Sequence, residues 1–175
     1  PRSCDIHVNG YLWAAVEARF FARGEWRAWA DRRIVEDATV PAWLSALSTA
    51  SNPHDALRAI GEGRQEATRT GGLRAVEEPD TTSLRLGFLY LRHRRGETDL
   101  ATLLTVAGAL ADGTNYDHPP CEDFYLILNE IDRGGPMGPS SKPLAGRAED
   151  LFRPHVASAL HWLSVLAVQP GLAGD

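Results

Sequence analysis

Residues 83–110 read SLRLGFLYLRHRRGETDLATLLTVAGAL, and this stretch decides the fold. Leu84, Phe88 and Leu91 form one row at helical spacing, with Leu86, Leu89 and Tyr90 as its neighbour. The first half therefore predicts a helix that is apolar over most of its circumference. Such a helix belongs at the centre of a core. It closes on Arg92-His93-Arg94-Arg95 and then Gly96, cations at the negative helix end before a glycine stop. Thr98-Asp99 opens a second helix, whose Leu100, Leu103, Leu104, Ala107 and Leu110 recur at three- and four-residue intervals. So short a connection predicts an antiparallel hairpin.

The same period extends outward in both directions. Between Tyr11 and Arg23, Leu12, Trp13, Val16, Phe20 and Phe21 make an apolar stripe that Gly24 would stop. Trp26, Trp29, Ala30 and Ile34 continue it in a second helix. Thr39-Val40-Pro41 reads as a start for a third, lined by Trp43, Leu44 and Leu47. Asn52-Pro53 repeats the device for a fourth, with Asp55 in its first turn and Leu57 and Ile60 facing the core.

Beyond residue 110, Phe124, Ile127, Leu128 and Ile131 mark another helix. A final helical stretch from about Leu144 to Val168 buries Val156, Leu160, Leu163 and Leu166, with a break expected at Pro154. Glycines at 61, 63, 71 and 72 and the run Glu77–Thr82 predict a loop or hinge over 61–82. The prolines of 134–146 predict a mobile loop. Residues 4–8 alternate weakly, enough for one short strand without a partner. The expectation is an all-α, single-domain helical bundle over residues 1–175, with about seven or eight helices and antiparallel hairpins.

Composition supports a globular chain: 43% hydrophobic and 23% charged over 175 residues, enough to bury about 70% of its surface. No apolar run approaches the length of a membrane span. Cys4 and Cys121 lie far apart, and neither has a partner at metal-ligand spacing, so whether they pair stays open. The first residues lack a basic and an apolar signal region, which points to a cytoplasmic protein. Seventeen Arg against one Lys suggests GC-rich, bacterial coding.

Chemical signatures are sparse. The six histidines include no pair at i, i+3 or i, i+4, and His118 beside Asp117, Glu122 and Asp123 reads as an acid-capped helix start. The loop from Asp112 departs from a calcium loop at its sixth and twelfth positions, Asp117 and Asp123. Gly134–Lys142 lacks the ending and the preceding strand of a phosphate loop. No metal, cofactor or catalytic set is expected. The single basic turn at 92–95 and the net charge of −5 speak against nucleic acid, and no helix has the cationic face of a membrane binder.

Charge is the strongest asymmetry. Residues 1–61, 62–99 and 136–175 each balance to zero, so the whole −5 falls within residues 100–135. There, Asp112, Asp117, Glu122, Asp123, Glu130 and Asp132 face only Arg133, and Tyr116 and Tyr125 lie among them. A compact negative patch speeds and selects association with basic partners, and a tyrosine can anchor such an interface. The leading expectation is a non-enzymatic module that binds a basic protein through these eight residues. The general texture, small, acidic and helical, is similar to that of toxin-neutralising immunity proteins, which implies toxin neutralisation as one such role. Two other readings stand behind it: an enzyme with catalytic residues dispersed over a helical pocket, and a sensor with Trp13, Trp26, Trp29 and Trp43 lining an apolar pocket.

Overall fold

The computed structural model describes residues 5–37, 39–69, 80–112, 121–134 and 143–166, the side chains of 5–7 and 165 excepted. All regular structure among them is helical, in eight helices: α1 (Asp5–Glu17), α2 (Arg23–Glu36), α3 (Ala42–Thr49), α4 (Pro53–Arg69), α5 (Thr81–Arg94), α6 (Leu100–Asp112), α7 (Cys121–Asp132) and α8 (Leu144–Val165). The chain divides into two compact units, Pro1–Thr81 and Thr82–Asp175.

In the first unit α1 packs on α4, α2 on α3, and α3 on α4. Its core holds Leu12, Val16, Phe20, Phe21, Trp26, Leu44, Leu47 and Ile60, each at most 2% exposed. Residues 5–8, whose weak alternation suggests a strand, are helical and form the first turn of α1, while residue 4 lies outside the described residues. The first helix also ends earlier than its apolar stripe suggests. Arg19 takes the left-handed conformation at φ 55°, its N–H bonds the Val16 carbonyl, and the Phe20 N–H reaches back to Ala15. This is a Schellman close with arginine in the position glycine usually holds. Phe20 and Phe21 stay buried in the connection, with ring centroids 5.8 Å apart.

Two further boundaries differ from the sequence reading. Pro41 is itself the cap of α3, so the helix begins one residue later. Asn52 caps α4 as expected, its Oδ1 accepting from the Asp55 N–H at 3.0 Å. Yet α4 continues through Gly61 and Gly63 to Arg69, well into the stretch read as a loop. Inside this helix position 63 has no space for a side chain: a Cβ there would lie 2.7 Å from the Trp43 ring and 3.0 Å from the Asn9 amide. Packing outweighs the cost of about 1 kcal/mol for glycine in a helix.

The second unit is built on α5, where Leu84, Leu86, Phe88, Leu89, Tyr90 and Leu91 are all buried. The helix stops as the sequence predicts, on Gly96 at φ 74°, with the Glu97 N–H bonded to the Arg92 carbonyl. Asp99 caps α6, accepting from the Thr102 N–H and the Thr102 hydroxyl, each at 2.8 Å. Those two bonds hold its carboxyl below the usual carboxylate range. Their contribution to stability is full above the ordinary carboxylate pKa and fades as pH falls through the lowered one. Tyr90, Phe152 and Phe124 join α5, α8 and α7 in one aromatic cluster, with centroid separations of 5.0 and 5.3 Å.

Pro154 does not break α8, which runs unbroken from Leu144 to Val165. The proline is exposed, so its ring meets water, and the one backbone bond it removes lies on the outer face. Val156 and Leu160 turn partly outward, and Phe152, Ala159 and Leu163 form the buried row of this helix. Where α8 passes α5, Gly87 admits it: a Cβ at 87 would overlap the His155 carbonyl oxygen and lie 2.8 Å from Ala159 Cβ. The buried His155 ring is held by the Ser83 hydroxyl at 2.7 Å from Nδ1.

These contacts give two expectations, both read by urea unfolding. Phe88 is fully buried, so Phe88→Ala should cost about 3–5 kcal/mol. Gly87→Ala should cost roughly 1–3 kcal/mol through overpacking, whereas Gly146→Ala, with open space around it on α8, should be neutral or gain up to about 1 kcal/mol. Equal effects at the two glycines would contradict the close α5–α8 approach. Arg19→Gly should stabilise the chain, because a side chain in the left-handed region costs about 1–2 kcal/mol. A loss of stability would show that the arginine is not in that conformation.

Candidate functional site

The acidic segment lies on the α6–α7 hairpin, and its geometry follows from one glycine. A Cβ at Gly108 would lie 2.7 Å from the Tyr125 ring, so the ring sits directly on the α6 backbone. Four residues further along α6 and four back along α7, Asp112 Oδ1 lies 3.7 Å from Cys121 Sγ. Both contacts belong to the same antiparallel register. With that register and 100° per residue, Thr105, Ala109 and Asp112 of α6 and Glu122, Leu126 and Asn129 of α7 point to one side of the hairpin. All six are exposed.

This face is acidic at one end and apolar at its middle. Cys121 Sγ is 3.5 Å from Glu122 Oε2 as well as close to Asp112, so a thiol and two carboxylates crowd the junction. The thiol is pushed above its ordinary value, first by desolvation, then by the hydrogen bond to and charge of Glu122, and by Asp112. Glu122 and Asp123 occupy the first turn of α7, where the helix dipole favours them. Asp112 does not share this benefit. It is the last residue of α6, where the dipole opposes a negative charge. One turn along α7 from Glu122, Leu126 is 55% exposed.

The structure does not gather all eight sequence-predicted residues. Asp112 and Glu122 meet at the junction on either side of Cys121, both exposed, while Asp123 follows in the first turn of α7 and is half-buried. Tyr125 is half-buried over Gly108, which makes it part of the hairpin packing. Glu130 forms an ion pair with Arg147 of α8 at 2.6 Å, its side chain 18% exposed. Asp132 is exposed at the far end of α7, about 15 Å along the axis from Glu122. Tyr116 and Asp117 lie outside the described residues, as does His118. Leu126 is the residue sequence reasoning missed. Its signal was present: Phe124, Ile127, Leu128 and Ile131 define the inner stripe, and position 126 falls opposite it.

Elsewhere the tryptophans serve packing. Trp26 and Trp29 are at most 4% exposed, Trp43 fills the space over Gly63, and the Trp13 indole N–H donates to Glu17 at 3.0 Å. A groove of about 290 Å³ between α3 and α4 is lined by polar groups, among them Thr49, Asp55, Arg58 and Glu62. Among the described residues no group of three or more His, Cys, Asp or Glu side chains is placed to hold a metal ion, and no helix is long and apolar enough to cross a membrane. No family model matches the chain, and neither curated proteins nor solved structures give a match.

The crowding at Cys121 can be read chemically. In a Cys4→Ser background, alkylation of Cys121 by iodoacetamide at pH 8.5 should be slower than that of an unperturbed thiol, because less thiolate is present. Asp112→Asn with Glu122→Gln should raise the rate severalfold. An unchanged rate would place the two carboxylates away from the sulfur.

Proposed function

We propose that the chain is a protein-binding module, acting by association rather than catalysis, that presents the outer α6–α7 face to a basic protein surface. Neutralisation of a basic toxin is one such role, and the cytoplasm is its expected setting. The supporting observation is Asp112. It stands at the helix end that disfavours it, across Cys121 from Glu122, and among the described residues neither carboxylate has an ion-pair partner. Folding alone would favour a neutral or cationic residue at that position, and departures from local preference collect at functional places. Leu126 supplies what a charge cluster lacks. An interface needs an apolar centre that loses its water, with polar groups around it. Exposed Leu126 fills that centre, Ala109 offers a low neighbour across the hairpin, and the carboxylates form one rim. A partner of matching chemistry carries Arg or Lys next to an apolar side chain.

The test uses the wild type and an Asp112→Asn, Glu122→Gln, Asp123→Asn variant, each first shown to melt cooperatively. A protein captured from an extract of the source cell serves as the analyte. The association rate of the wild type should fall steeply between 0.1 and 1 M salt, as the Debye length drops from about 10 to about 3 Å. The variant should associate more slowly at low salt and with a flatter dependence. Leu126→Ala should act on dissociation instead, raising it about tenfold for a loss of about 1.4 kcal/mol. Identical rates and salt slopes for wild type and triple variant would reduce the carboxylates to a solvated surface.

A further inference from the structure

We draw no further inference here: the strongest candidate, the Ser83–His155 pair where α8 passes α5, is a hydrogen bond within the helix packing with the imidazole only 4% exposed, and nothing in the structure shows a substrate or partner reaching it.

Discussion

The Tyr125 ring lying on the bare backbone of Gly108 sets how α6 and α7 run past one another. Any larger residue at 108 would lift the ring, separate the helices and free their register. With the ring seated, Asp112 comes level with Cys121, and the outward rows of both helices fall on one side. The acidic end of the hairpin is therefore a product of packing. The carboxylates do not attract one another, and the apolar contacts beneath them hold them together. Phe124 and Ile127, both buried, carry the inner face of the same helix.

A similar device recurs within each unit. Gly63 seats Trp43 in the first, and Gly87 seats the α8 backbone in the second. Each glycine gives up helix propensity worth about 1 kcal/mol, and each lets a large group approach to van der Waals contact. The gain is collective, since a close-packed interface makes many small dispersion contacts that a lifted helix would lose. Ion pairs add a smaller, directional element. Arg147 and Glu130 tie α8 to α7 with side chains about one-quarter and one-fifth exposed, whereas Arg27–Asp31 and Arg58–Asp55 lie in water and add little.

Much of this architecture is legible in the amino-acid sequence. The rows of Leu84, Phe88 and Leu91, the Asp99 and Asn52 caps and the Gly96 stop are local signals, and each appears where the spacing places it. What the sequence hides depends on distant partners. Gly63 reads as a turn until Trp43 is seen above it, and Pro154 reads as a break until its outward position is known. Arg19 gives no warning of a left-handed close, because glycine is the usual sign of one. At the candidate site, composition locates the acidic segment. It cannot show that Glu130 is tied to Arg147, that Tyr125 is half-buried, or that Leu126 stands exposed beside Glu122.

The register of the α6–α7 hairpin carries the whole account of the site, and nuclear Overhauser contacts from the Tyr125 ring protons measure it directly. The structure predicts strong contacts to the Gly108 Hα protons, together with upfield ring-current shifts of those protons. Contacts from the ring to residues one helical turn away on α6, with none to Gly108, would move Asp112 away from Cys121 and Glu122. The proposed face would then not exist.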